Sequence, residues 1–164
     1  MRIKTELAER PPEFIVSHEG NRASIVFYTD VVEKQREAAE EGETTTYYEA
    51  VSWTMEVPWT DNIEERIRTG LAAWLAKAQQ DASEIAAAAV RVARDQLLAD
   101  SDASMALDRL GLTVPTGSTF TAWLSFFKGL GEVLTGSFAK YRQALRDIPE
   151  QEGFPFNVEW PEKP

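Results

Sequence analysis

Cysteine is missing from all 164 residues, which excludes disulfides, thiolate zinc sites and cysteine nucleophiles. Histidine is nearly missing too. His18 alone would have to serve any Ser-His-acid triad, and no nucleophile-elbow motif accompanies it. Beside the Glu19-Gly20-Asn21 turn it reads as a surface side chain at a strand end. Basic charge is short: 17 Lys and Arg stand against 27 Asp and Glu, for a net −10. Such a surface repels nucleic-acid phosphates and anionic membranes, so neither is an expected partner. No apolar run approaches the roughly 18 residues of a membrane span. The opening MRIKTELAERPP also lacks the apolar segment of a signal peptide. The expectation is a soluble protein with no readable export signal.

Phosphate and metal motifs fail as well. Gly131 to Gly136 has the spacing that opens a phosphate loop, but Ser137-Phe138 stands where Lys and Ser or Thr are needed. Gly129-Leu130-Gly131 is no dinucleotide fingerprint, because Leu134 replaces the third glycine and no strand precedes it. Glu40, Glu41 and Glu43 form a solvated charge run without the rigid spacing of a calcium loop. No catalytic residue, metal or cofactor is expected.

What the chain does have is a normal complement of core-forming side chains. Hydrophobic residues make up 43 %, with eight Phe, five Trp and four Tyr, so a folded domain is expected. The charge is uneven: residues 1–60 hold 6 basic against 12 acidic residues and carry −6 of the −10. This serves solubility, or offers an acidic face to a basic partner.

The pattern predicts an α+β fold: a small antiparallel β-meander (1–60), a long amphipathic helix (61–100), and a helical C-terminal region with an extended, Pro-rich tail (101–164). After a polar leader ending at Pro11-Pro12, strands are expected over Glu13 to His18 and Arg22 to Val32. A charged connection follows to Glu43, and then a strand over Thr44 to Val57. Tyr47, Val51, Trp53, Met55 and Val57 share one parity and should face the core, with Glu49 as a blemish. Asp61 with Glu64 reads as a capping box. The helix stripe Ile63, Ile67, Leu71, Trp74, Leu75, Ala78 continues through Ile85, Ala89 and Val92, with a break expected near Gln79 to Ser83. The Ala86 to Ala89 stretch permits close helix packing, within the chain or in a homo-oligomer.

Beyond Asp100, Ser101 or Asp102 is predicted to cap a short helix ending at Leu110-Gly111. A loop over Leu112 to Ser118 and helices over Thr119 to Leu134 and Ser137 to Ile148 follow. The Thr119 helix carries Phe120, Trp123, Leu124, Phe127, Leu130 and Leu134 on one face. Aromatics then recur in a tail broken by prolines and Gly153. Such side chains dock on their own domain or on a partner. A protein-binding surface is therefore expected from Trp123, Phe126, Phe127, Phe154, Phe156 and Trp160.

AKYRQALRDIPEQEGFPFNVEWPEKP, from Ala139 to Pro164, closely resembles the C-terminal signature of bacteriophage and prophage tail-assembly chaperone, or tail-fibre-assembly-like, proteins. Arg94-Asp95-Gln96-Leu97-Leu98-Ala99-Asp100-Ser101-Asp102 resembles a second word of that family. The opening Arg10-Pro11-Pro12-Glu13 and Tyr28-Thr29-Asp30-Val31 is similar to N-terminal segments joined to it. Many relatives follow the Ser-Asp word with Trp-Thr-Gln, where this chain has Ala103-Ser104-Met105 and a long apolar insertion. The resemblance implies a non-catalytic helper in the host bacterial cytoplasm, or associated with the virion, that binds a phage tail or tail-fibre protein. Two alternatives stand beside it: an acidic phage inhibitor of a host defence that imitates nucleic-acid charge, and a minor structural tail component. A hydrolase lacks any acid-base pair.

Overall fold

The computed structural model describes residues 1–37, 44–102, 112–117 and 119–164. It divides into two compact units, Met1–Ala86 and Ala87–Pro164. The α+β expectation is borne out: an antiparallel sheet comes first and helices follow.

The first unit holds β1 (Arg2–Leu7), β2 (Phe14–Glu19), β3 (Arg22–Glu37) and β4 (Thr44–Pro58), in sheet order β1-β4-β3-β2. β2, β3 and β4 form the expected meander. The predicted polar leader is corrected: it is a strand pairing antiparallel with β4, Arg2 opposite Trp53 and Leu7 opposite Tyr48. An edge strand is paired on one side only, so charges at Arg2, Lys4 and Glu6 cost little and hide its period.

A two-residue loop, Gly20-Asn21, joins β2 to β3 with Glu19 opposite Arg22. Gly20 at φ 61° supplies the left-handed first position that a type II′ hairpin turn demands. Farther along, the register of β3 against β4 shifts between Thr29 and Val32. Asp30 takes a φ of 52° there, a conformation Asp tolerates better than most side chains. The Thr29 hydroxyl accepts the Trp53 indole N–H at 3.0 Å beside this bulge.

The charged run after Val32 was expected as a connection, yet Glu33 to Glu37 extends β3 and pairs with Thr44 to Tyr48. Cross-strand charge explains it. Lys34 meets Glu49 at 2.7 Å, Arg36 meets Glu6 at 3.5 Å, and the Arg36 guanidinium lies over the Tyr47 ring. Glu49 is thus the ion partner of Lys34. The solvated charge run expected at Glu40, Glu41 and Glu43 lies outside the described residues.

This hairpin carries a pH signature. The Tyr48 hydroxyl donates to Glu33 at 3.2 Å, and that bond raises its pKa. The bond to Glu49 likewise raises Lys34. A raised folded pKa means that the stabilisation is complete below the unfolded value and is lost as pH rises through the folded one. Glu33→Gln is therefore expected to shift Tyr48 titration downward, toward an ordinary tyrosine. Residue-resolved tyrosine NMR measures it.

Two helices cover one sheet face: α1 (Ile63–Thr69) and the start of α2 (Leu71–Asp102). Ile63, Ile67, Ala78 and Ala82 are buried against Ile25, Phe27, Val51, Trp53 and Met55, with Leu71, Trp74, Leu75, Phe14, Val16 and Val57 at the margin. The expected parity of Val51, Trp53, Met55 and Val57 is the one that faces this core.

Three helix expectations are corrected. The break falls at Gly70, not Gln79 to Ser83. Its N–H caps α1 through Arg66 and Ile67 carbonyls, while its own carbonyl accepts from Ala73 and Trp74. The capping box does not form: Asn62 is the N-cap, without a side-chain bond, and the Thr60 carbonyl accepts the Ile63 N–H instead. Finally, Ile85, Ala89 and Val92 are exposed. The sheet-facing core ends on α2 at Ala82.

The second unit contains the rest of α2, α3 (Phe120–Thr135), α4 (Ser137–Arg146) and a 3-10 turn (Ile148–Glu150). Tyr141, Leu145 and Ile148 are buried, packed by Val90, Leu97, Leu98, Phe154 and Val158. Ser101 and Asp102 lie in the last described turn of α2, and the helix expected to run to Leu110-Gly111 lies outside the described residues. Arg142 binds this turn: it donates to the Leu98 carbonyl at 3.1 Å and to the buried Ser101 hydroxyl, and meets Asp102 at 2.6 Å. The tail is not extended throughout. Residues 152–156 form turns, and the Gln151 side-chain amide exchanges two hydrogen bonds with the Glu159 backbone. A Cβ on Gly153 would run into the Asn157 carbonyl, so only glycine fits that turn.

Candidate protein-binding surface

Among the described helices α3 is the most apolar, and it shows that face to water. Phe120, Leu124 and Phe127, spaced i, i+4 and i+7, are 77 %, 58 % and 58 % exposed. Gly131, one turn on along the same face, has nothing within 4 Å of a built Cβ. The opposite side is the packed one: Leu112 lies so close to Gly129 that a Cβ there would sit 2.8 Å from it. Leu112, Val133, Gly136 and Phe138 line a groove of about 320 Å³ at the α3–α4 junction.

Three of the six sequence-predicted residues meet on this helix. Trp123, Phe126 and Phe127 have ring centroids 5.7 to 6.0 Å apart. The Trp123 indole N–H donates to the Gly117 carbonyl at 3.0 Å, which pins the loop before α3 to the aromatic cluster. The other three sit in the tail. Phe154 is half-buried on Tyr141, Leu145 and Ile148, with the Arg91 guanidinium over its ring. Phe156 and Trp160 are 38 % and 41 % exposed. Phe120 and Leu124 were absent from the predicted set, although their 3.6-residue spacing with Phe127 was visible.

The rejected chemical motifs have structural roles. His18 stacks on Trp59 at 3.8 Å, nearly parallel, and its Nε2 donates to the Gly20 carbonyl at 2.6 Å, bracing the hairpin turn. Gly129-Leu130-Gly131 lies inside α3, where no phosphate loop forms. Among the described residues no group of three His, Cys, Asp or Glu is placed to hold a metal. No described helix is long and apolar enough to cross a membrane.

Residues 87–164 match the family described as phage tail assembly chaperone protein. No curated protein and no solved structure matches the chain. The matched span coincides with the second compact unit, Ala87–Pro164. The two segments that carry the resemblance meet there: Leu98, Ser101 and Asp102 from the first are joined to Arg142 of the second. Over residues 87–164 the chain is thus similar to the phage tail assembly chaperone family.

Proposed function

We propose that this protein is a non-catalytic helper that binds a phage tail or tail-fibre protein in the host cytoplasm and shields apolar surface until assembly. The observation that carries the reading is the solvent-facing stripe Phe120-Leu124-Phe127, backed by Trp123 and Phe126, in the family-matching unit. An apolar patch of this kind marks an interaction site. Phe156 and Trp160 are the tail anchors of the same reading.

The test compares two double variants, Phe120→Ala with Phe127→Ala and Phe156→Ala with Trp160→Ala. A tail protein is first captured from phage-infected lysate and identified, and its affinity is then measured with purified proteins. Each pair is expected to weaken binding by about 2 kcal/mol or more, roughly 30-fold in Kd, with little change in melting temperature. A variant that melts earlier yet binds normally assigns its aromatics to the protein's own packing.

One observation favours a second reading. The first unit holds 17 acidic against 9 basic residues, which suits an acidic inhibitor of a host defence protein. Salt separates the two: a charge mimic loses its partner steeply between low and high ionic strength, and an apolar contact does not. Finding the chain in purified virions would instead support a minor tail component.

A further inference from the structure

The sheet ends at β2, and this edge differs from the other. β1 carries Arg2 and Lys4, the charged type of residue that blunts an edge against unwanted pairing. β2 reads Phe-Ile-Val-Ser-His-Glu, without lysine, proline or a register shift. Its inward hydrogen-bonding residues follow from the register: Glu19 faces Arg22 across the two-residue turn, and the Tyr28 N–H reaches the Glu13 carbonyl at 3.0 Å. In an antiparallel pair these positions alternate. Glu13, Ile15, Ser17 and Glu19 therefore turn their backbone groups toward β3, and Phe14, Val16 and His18 turn theirs outward. Beside this edge runs a groove of about 460 Å³, lined by Pro12 to Val16 and by Glu64 and Arg68 of α1.

We infer that β2 is a strand-accepting edge, and that its occupant is an extended, lysine- or arginine-bearing segment of a partner protein. Only an extended backbone supplies donors and acceptors at the two-residue spacing of Phe14, Val16 and His18. Alternate apolar side chains of the added strand would lie against Phe14 and Val16 in the groove. The basic character follows from charge: Glu13 and Glu19 flank the edge, Glu64 already shares Arg68, and the unit carries 17 acidic against 9 basic residues. The same residues argue against a second copy. Antiparallel self-pairing centred on Val16 would set Glu13 of each copy opposite Glu19 of the other, and like charges directly opposed destabilise a sheet. This edge lies in the first unit, so its failure would leave the α3 surface untouched.

The test is residue-resolved amide exchange on the full chain, alone and with two synthetic peptides, acetyl-KVTVTK-amide and acetyl-EVTVTE-amide. In the free protein the Phe14, Val16 and His18 amides should exchange fast, and those of Ile15 and Ser17 slowly. The lysine peptide should slow the three outward amides by about tenfold or more, and the glutamate peptide should not. Ile15→Lys alters a half-exposed side chain on the other sheet face and should reverse that preference without loss of fold. Val16→Pro removes an outward N–H and should abolish the response. Outward amides already protected in the free chain, equal response to both peptides, response to neither, or protection that grows with protein concentration as a dimer forms, would each overturn the proposal.

Discussion

Phe27→Ala is expected to lower the stability of the first unit by about 3–5 kcal/mol, the usual cost of deleting a fully enclosed phenyl ring. Phe27 is 1 % exposed and occupies the centre of a row that crosses all four strands: Arg2, Trp53, Phe27, Phe14. Its ring lies 6.2 Å from that of Phe14, and the helix side of the row is closed by Ile63 and Ile67. Nothing adjacent can collapse into the gap without breaking the ladder. Total stabilities run at about 5–15 kcal/mol, so one such cavity removes a large share. Urea unfolding followed by sheet circular dichroism measures the loss. Ile85→Ala is the matched control. At 67 % exposure it should shift stability by no more than about 0.5 kcal/mol. Equal losses for the two would mean that the helix stripe does continue through Ile85.

That contrast shows where sequence reasoning worked and where it stopped. The parity of Val51, Trp53, Met55 and Val57 was legible because a strand with one buried face alternates strictly. Ile63, Ile67 and Leu71 were legible for the equivalent helical reason. The end of the stripe was not, because periodicity says which face of a helix is apolar and not how far the sheet beneath it reaches. β1 was hidden for a related cause: its apolar positions are only Ile3 and Leu7, with Thr5 between, and an edge strand tolerates charge on the rest. The break at Gly70 was obscured by the apolar spacing running on across it, and the charged end of β3 by pairing partners that lie on other strands.

The candidate surface was half legible. Aromatic content on α3 and in the tail is plain in the sequence, but which rings face water depends on Leu112, which approaches α3 at Gly129 from the far side. Phe154 illustrates the limit. It stands in the family's Gly153-Phe154-Pro155 word and looks like its neighbour Phe156, yet it packs on Tyr141, Leu145 and Ile148 under Arg91. Arg142 is the converse case, a charged side chain in the middle of a signature word whose partners are the last turn of α2, some forty residues earlier. Spacing along the chain carries no trace of such a contact.

Leu145→Ala is expected to cost the second unit about 2–5 kcal/mol, within the range for emptying a closed aliphatic site. Leu145 is fully buried with Tyr141 and Ile148, and Val90, Leu97, Leu98, Phe154 and Val158 pack around the three. Every residue named in that small core lies within the matched span 87–164, on α2, α4, the 3-10 turn and the tail. Three enclosed side chains leave little reserve, so the loss should unfold this unit while amide signals of β1 to β4 persist, which heteronuclear NMR distinguishes directly. Arg142→Ala should act in the same direction, because it leaves the buried Ser101 hydroxyl without that donor and removes the guanidinium from the Leu98 carbonyl. Partner binding should then fall together with helix content for Leu145→Ala, and fall at unchanged helix content for Phe120→Ala with Phe127→Ala. The chemistry of Arg142 and Leu145 would thereby be assigned to holding the unit together, and the solvent-facing rings of α3 to the contact itself. If Leu145→Ala left the second unit folded and binding intact, the closed core of Tyr141, Leu145 and Ile148 could not be what supports that surface.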